Sequence, residues 1–153
     1  MASKKLSLAN LVKTYLEGNV NLPEITSSNT LLVIGGVLSQ EMLNQNGLTI
    51  VISPLERVMN VTQDRCSPRY VYQVGIALFQ KLTTQDLTYL SNAASESELT
   101  TVDELSETVE DELYNVSHGD YSFSGLETDT QLDPAAMDHG FFRHTLMVTY
   151  IGD

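Results

Sequence analysis

The chain has 153 residues, with 20 acidic and 8 basic side chains, so its formal net charge is −12. This length predicts one domain, residues 1–153, that is large enough to bury its own core. The acidic balance argues against binding to nucleic acid or to an anionic membrane surface, because both need basic patches on the protein. The single cysteine, Cys66, excludes an intrachain disulfide and a multi-cysteine metal site. Since no apolar run is long enough to span a bilayer, we expect a protein made in a cytoplasm and used there or in a particle assembled there.

An amphipathic helix is predicted near the start of the chain. Its apolar residues recur at three- and four-residue steps, with polar residues between them. They are Leu6, Leu8, Leu11, Val12, Tyr15 and Leu16. Gly18 is expected just past the helix end, in the left-handed geometry that glycine adopts without steric cost. The start of the chain lacks a continuous apolar core, so it does not resemble a signal peptide.

The next part of the chain predicts one strand and a basic loop. The run from Leu31 to Ile34 fits either a strand or a buried helix. The β-branched residues from Leu48 to Ser53 favour a strand. Pro54 is expected to end that strand, because proline cannot donate to a sheet ladder. We interpret the residues from Leu55 to Arg69 as a loop that carries three arginines: Arg57, Arg65 and Arg69.

The clearest pattern in the sequence runs from Tyr70 to Leu82. Side chains alternate between two faces, as in a long strand. One face is apolar and consists of Tyr70, Tyr72, Val74, Ile76 and Leu78. The other face includes Gln73, Gly75 and Ala77, which are small or polar. This predicts a central strand that is lightly covered on its second face.

A second helix is predicted over Val102 to Leu113. Its apolar stripe is formed by Val102, Leu105, Val109 and Leu113, and acidic residues cover the opposite side. Thr101 and Glu104 have the spacing of a capping box, which predicts the helix start. We expect the carboxylates of this helix to face solvent. There is no Lys or Arg between Leu82 and Phe142, a stretch that holds most of the acidic residues.

Two strands are predicted after this helix. The residues His118 to Asp120 favour a turn, and Tyr121 and Phe123 then alternate with serines as in a short strand. The alternation from Phe142 to Ile151 predicts a longer final strand. The predicted fold class is therefore α+β, a sandwich-like arrangement in which helices pack on one face of a mostly antiparallel or mixed β-sheet.

The sequence carries no catalytic or cofactor-binding signature. It has no phosphate-binding glycine loop, no Gly-x-Ser-x-Gly turn and no regular calcium-binding loop. His139 and His144 are five positions apart, so in one strand they would face opposite sides and could not share a metal. We expect His144 to be a hydrogen-bonded, partly buried side chain. The prediction is a protein that is not an enzyme and that needs no cofactor or metal.

In their order, these features resemble the tail-terminator and neck proteins of tailed bacteriophages. The matching pattern covers about two-thirds of the chain. It consists of the strand from Leu48 to Pro54, the arginine-bearing loop, the strand from Tyr70 to Leu82, the Glu-rich helix from Val102 to Tyr114 and the last strand from Phe142 to Ile151. The resemblance implies a structural virion protein that caps the tail tube and joins the tail to the head.

The resemblance also implies how such a subunit works. It implies a ring, usually of six subunits, in contact with the tail tube protein and with head–tail connector proteins, while DNA passes through the lumen without specific binding. We expect Arg57, Arg65 and Arg69 to meet acidic surface on a neighbouring subunit or on the tail tube. The candidate acidic residues are Glu107, Glu110 and Asp111. Two alternatives stay open: the arginines form only weak ion pairs within their own subunit, or the chain is a cytoplasmic adaptor that binds a basic protein through its acidic helix.

Overall fold

In a computed structural model, the described residues 3–33, 48–60, 69–81, 93–129 and 141–152 form a five-stranded sheet with two helices. The helices are α1 (Lys4–Glu17) and α2 (Ala93–Leu113). The strands are β1 (Thr30–Leu32), β2 (Leu48–Asn60), β3 (Arg69–Lys81), β4 (Ser122–Asp129) and β5 (Phe141–Gly152). The strand order is β1-β2-β3-β5-β4, with β1 parallel to β2 and every other pair antiparallel. This confirms the predicted fold class.

The helix α1 follows the predicted apolar stripe. Ser3 caps it, because the Ser3 hydroxyl accepts a hydrogen bond from the Leu6 amide at 3.4 Å. Leu8, Val12 and Leu16 are fully buried on its inner side. Gly18 follows the last turn as predicted, but its φ of −90° is not left-handed, so that part of the prediction is wrong. The Gly18 amide donates to the Thr14 carbonyl at 3.0 Å, and the helix closes with an ordinary right-handed turn.

The strand β2 continues past Pro54, and the predicted loop from Leu55 is wrong up to Asn60. A shift of register between Pro54 and Arg57 marks a bulge, after which pairing with β3 resumes. Proline is tolerated at bulges and sheet edges because no ladder hydrogen bond is required of it there. Within the described residues, β1 pairs with β2 only from Ile50 to Ile52, so Pro54 lies where β2 has no partner on its outer side.

The central strand β3 is confirmed, and the core lies on one of its faces. Four of its side chains are buried there, namely Tyr72, Val74, Ile76 and Leu78. They form a single cluster with buried side chains of α1, α2, β2 and β5. Burial of each such side chain contributes about 1.5–3 kcal/mol. Both described helices pack on this face, which we call the helix-covered face.

The helix α2 is longer than predicted. It begins at Ala93, so Thr101 lies inside the helix and the predicted capping box is wrong. The apolar stripe of Leu105, Val109 and Leu113 is buried as predicted. No helix in the described part of the chain has the length and hydropathy needed to cross a membrane.

The connection from α2 to β4 uses two left-handed residues. Asn115, just past the helix end, has a φ of 60°, and Gly119 has a φ of 57°. His118 and Tyr121 exchange two backbone hydrogen bonds of 2.9 Å, so the predicted turn at His118 to Asp120 is confirmed. Phe123 and the final strand also lie where the sequence places them.

Candidate assembly surfaces

Arg57 is held on the protein surface by two tyrosines of β3. Its guanidinium carbon lies 3.6 Å from the centre of the Tyr70 ring and 5.7 Å from that of Tyr72. Arg57 Nε donates a hydrogen bond to the Tyr72 hydroxyl at 3.0 Å. The side chain nevertheless remains exposed. Arg57 is therefore an exposed cation whose side chain is held in place at the end of the sheet where β3 begins.

The β2 bulge explains why these groups meet. Tyr70 and Tyr72 lie two positions apart, so they project from the same face of β3. After the bulge Arg57 pairs directly with Tyr72, which brings the guanidinium over that face. The hydrogen bond to Tyr72 raises the pKa of Arg57 further, so the side chain keeps its charge at any physiological pH. The sequence showed both tyrosines and the arginine, but no rule fixed the register that joins them.

The same aromatic cluster reaches the start of α1. Tyr72 packs edge-on against Tyr121, with ring centres 5.1 Å apart. The Tyr121 hydroxyl donates to the Lys4 carbonyl at 3.4 Å. The first turn of α1, with Lys4 and Lys5, is thereby joined to the part of the sheet that carries Arg57.

The carboxylates of α2 whose side chains are described, from Asp103 onward, fall into two groups. Four are exposed on the side away from the core: Asp103, Glu104, Glu107 and Asp111. Glu110 instead contacts His144, at 3.0 Å between Glu110 Oε1 and His144 Nε2. Glu112 accepts hydrogen bonds from the side-chain amides of Asn19 at 2.9 Å and Asn21 at 2.8 Å. The expectation that all these carboxylates face solvent is therefore wrong for Glu110 and Glu112, because the end of α2 lies against β5 and the end of α1.

The structure does not place the three arginines together in one loop, as the sequence predicted. Arg57 lies on β2 and not in a loop, and Arg69 is the first residue of β3, with its backbone paired to Asn60. Arg65 lies outside the described residues. Across the described part of the chain, no ion pair joins Arg57 to an acidic side chain. The arrangement brings Arg57 together with aromatic rings, whereas the exposed carboxylates lie on a separate element.

The second face of the sheet carries an open depression. It has a volume of about 570 Å³ and is lined by residues of β2, β3, β4 and β5, which include Val51, Leu55, Ala77, Glu127 and Met147. Gly75 lies at its floor, and a Cβ added there would lie 3.1 Å from Leu55 Cδ1. Leu55 is 42% exposed. Within the described residues this face is mainly apolar and unevenly exposed: Leu55 is exposed, whereas Val51 and Phe79 are buried. Only the part around Gly75 therefore agrees with the expectation of a lightly covered second face.

Two buried polar groups lie near the junction of α1 and β5. The His118 ring packs edge-on against Tyr15 and Tyr150, with ring centres 5.1 and 5.5 Å apart. His118 Nε2 and the Tyr150 hydroxyl have no hydrogen-bond partner among the described residues. Burial lowers the pKa of His118 and raises that of Tyr150. Both groups stay neutral near pH 7, and their role here is packing.

A metal-binding or catalytic arrangement is not apparent where the structure is described. Within residues 3–33, 48–60, 69–81, 93–129 and 141–152, no three His, Cys, Asp or Glu side chains are grouped to hold a metal ion. His144 is hydrogen-bonded as expected, but it is 2% exposed and so is buried more completely than expected. His139 and Cys66 lie outside the described residues.

Comparisons with known proteins identify no family for this chain. No protein-family model matches the sequence, and no curated protein matches it significantly. One solved structure with a similar chain is described as "Virion of native gene transfer agent (GTA) particle". The two chains are 13% identical, the match covers 98% of this chain and 97% of the other, and the TM-score is 0.44. A TM-score below 0.5 does not establish a common fold, so we draw no conclusion from this similarity.

Proposed function

We propose that this protein is a structural component of a phage-like virion, a tail-terminator or neck subunit that works by assembling into a ring. The observation that carries this proposal is that, among the described residues, both helices pack on the same face of the sheet. Both described helices lie on the helix-covered face, while the second face presents an apolar, partly exposed depression around Gly75 and Ala77. A subunit that buries such a face against neighbours needs no catalytic group, and the resemblance of the element order to tail-terminator and neck proteins supports the same role.

The surface charges suit head-to-tail contacts between subunits. Arg57 is exposed at one end of the sheet, and the carboxylates of Glu107 and Asp111 are exposed on the outer side of α2. Opposite charges on separate elements of one chain allow each copy to contact the next through two different patches, and closure of such contacts gives a ring. We propose Arg57, Arg65 and Arg69 as one side of the contact. Glu107, Glu110 and Asp111 are proposed as the other.

The proposed ring, of six subunits, caps the tail tube and contacts the tube protein and the head–tail connector proteins in the virion. Its net charge of −12 per chain suits a channel for DNA. A negatively charged lumen repels phosphates, so DNA passes without being held.

A second candidate function is an adaptor that binds a basic protein through α2. The exposure of Asp103, Glu104, Glu107 and Asp111 along one helix favours it. This function requires one acidic surface and no self-association. It therefore differs from the first in the expected oligomeric state.

Electron microscopy of particles assembled without this protein tests the proposed function. A tail terminator is expected to leave abnormally long tails when it is missing, and a neck protein is expected to leave heads and tails unjoined. Particles whose tails have the normal length and are joined to heads would contradict both roles. In parallel, sedimentation of the purified chain separates a ring from the monomer that the adaptor function predicts.

A further inference from the structure

We propose that Arg57 docks onto Glu107 and Asp111 of a second copy of this chain, and that this contact joins successive copies head to tail. The inference rests on the proposed function, because it names the partner of the ring contact. It narrows the contact from three arginines and three carboxylates to one cation and two acids.

The first support is the way in which Arg57 is held. An exposed arginine loses side-chain freedom when it binds a partner, and this loss weakens binding. Stacking on Tyr70 and the Nε hydrogen bond to Tyr72 restrict the Arg57 side chain before any partner arrives. That hydrogen bond uses Nε, which is a different donor from the two terminal NH₂ groups of the guanidinium. The side chain is therefore preorganised for an external acceptor.

The second support is the chemistry of that acceptor. A guanidinium offers parallel N–H donors that match a carboxylate, and such bidentate pairs are stronger than contacts between neutral groups. Two copies with net charges of −12 repel each other. A contact that places a cation against acids offsets part of this repulsion. Of the cations with described side chains, Lys13 is already paired with Glu17 in the same helix. Lys4 and Lys5 at the start of α1 are exposed but are lysines, so Arg57 is the one described side chain that offers a guanidinium.

The third support is the choice of carboxylates. Glu110 and Glu112 are engaged within the subunit, by His144 and by Asn19 and Asn21. Glu107 and Asp111 are exposed and lie four positions apart. Residues at this spacing share one face of a helix, so the two carboxylates form a double acceptor on the outer side of α2. Arg57 has no ion pair with either of them inside the described subunit.

A pair of charge-reversal variants tests the contact. The first is Arg57→Glu, and the second is the double variant Glu107→Arg with Asp111→Arg. Sedimentation velocity over a range of protein concentrations measures self-association, at low and at high salt. Each variant alone is expected to associate at least about tenfold more weakly than the wild type, because like charges then face each other across the contact.

Mixing the two variants restores complementary charges. The carboxylate introduced by Arg57→Glu in the first variant then meets the arginines of the second, and Arg57 of the second meets the acids of the first. An equimolar mixture is therefore expected to assemble when neither variant does so alone. Lys13→Glu makes the same change of charge away from the contact and serves as the control, with circular dichroism to check the fold of each variant.

The variant Arg57→Lys tests whether the planar guanidinium contributes to association beyond its positive charge. Lysine keeps the positive charge but lacks the planar fork and the stacking surface. We expect it to weaken association, but less than Arg57→Glu does, because the attraction between opposite charges remains and only the fork and the stacking are lost. Full association of Arg57→Lys would contradict the bidentate contact.

Three other results would overturn the inference, and they differ in whether the proposed ring is overturned with it. A wild-type chain that stays monomeric, both alone and on tail tubes, overturns the ring and with it this inference. Wild-type assembly that is unchanged in Arg57→Glu overturns the inference alone. Normal rings of Arg57→Glu that fail to bind tails would show that the acidic partner is another virion protein, which also contradicts the inference.

Discussion

Glu110 and His144 are joined by a contact of 3.0 Å between Glu110 Oε1 and His144 Nε2, which fastens the outer helix α2 to strand β5. His144 is 2% exposed, so the contact is made at the edge of the core. Which of the two atoms donates depends on the tautomer of the His144 ring. Glu110, like Glu112, thus has a structural role that the exposed carboxylates of α2 do not have.

Replacement of Glu110 by alanine should destabilise the fold. The change removes the hydrogen-bond partner of His144 Nε2, and such a loss at a buried group costs about 1–3 kcal/mol. Urea unfolding monitored by circular dichroism measures this cost. Glu107→Ala, one turn earlier on the exposed side, is the matched control and should stay within about 0.5 kcal/mol of the wild type. Equal stability of the two variants would mean that the Glu110 contact contributes nothing.

A second pair of variants tests the packing of Tyr121 at the end of the sheet. A Cβ added to Gly152 would lie 2.9 Å from Tyr121 Cδ1 and 3.3 Å from the Asp120 carbonyl oxygen. Gly152→Ala should therefore force a shift of the Tyr121 ring and lower the free energy of unfolding by about 1–3 kcal/mol.

Gly125 provides the matched control for this change. A Cβ at Gly125 meets nothing within 4 Å, and its φ does not require glycine. Gly125→Ala should be neutral, or it should stabilise the strand by about 0.5–1 kcal/mol because alanine loses less backbone entropy. Thermal unfolding of both variants gives the comparison. A Gly152→Ala chain as stable as Gly125→Ala would show that Tyr121 is free to move.

The periodic elements were predictable because each buries one face. The alternation in β3 and β5 and the apolar stripes of α1 and α2 fix which side chains enter the core, whatever the topology. The first turns of α2, from Ala93, could not be found in this way because they have no apolar period to mark them. The passage of β2 through Pro54 depends on how far β1 extends beside it, and that is a property of the sheet and not of the local sequence.

The candidate surfaces were predictable in composition but not in arrangement. The sequence shows the charge of Arg57, whereas its place over Tyr70 follows from the register shift in β2. The sequence did contain a signal that the Glu110 side chain lies beside the core. It lies four residues after Ser106 and three before Leu113, both of which are buried, so its side chain starts beside the core.

The second face of the sheet gives a prediction for assembly. Ala77→Gln adds a longer neutral side chain to the open depression, where there is room for it in the single subunit. The monomer should keep its stability to within about 1 kcal/mol, since the added atoms can stay in water. Self-association, measured by sedimentation, should weaken if neighbours cover this face. Ser124→Gln, at the exposed bulge of β4, is the control, and equal association of both variants would remove the depression from the proposed interface.

The stability of the fold should fall in mild acid because of His118. Burial lowers the pKa of His118 below its ordinary value of about 6.5. Between pH 6.5 and the lowered pKa, the unfolded chain takes up a proton that the folded chain does not. The stabilising effect of this group is therefore complete above pH 6.5 and is lost as the pH falls, by at most about 1.4 kcal/mol per pH unit.

His118→Phe isolates this effect because it keeps the edge-on contacts with Tyr15 and Tyr150 but cannot titrate. The other two histidines are present in both chains, so their contribution cancels in the comparison. Urea unfolding at about pH 7.5, 6.5 and 5.5 should show a gap between variant and wild type that shifts in favour of the variant as the pH falls. A gap that stays constant across this range would show that His118 is protonated as readily in the folded chain as in the unfolded one, and its burial against Tyr150 would then carry no cost.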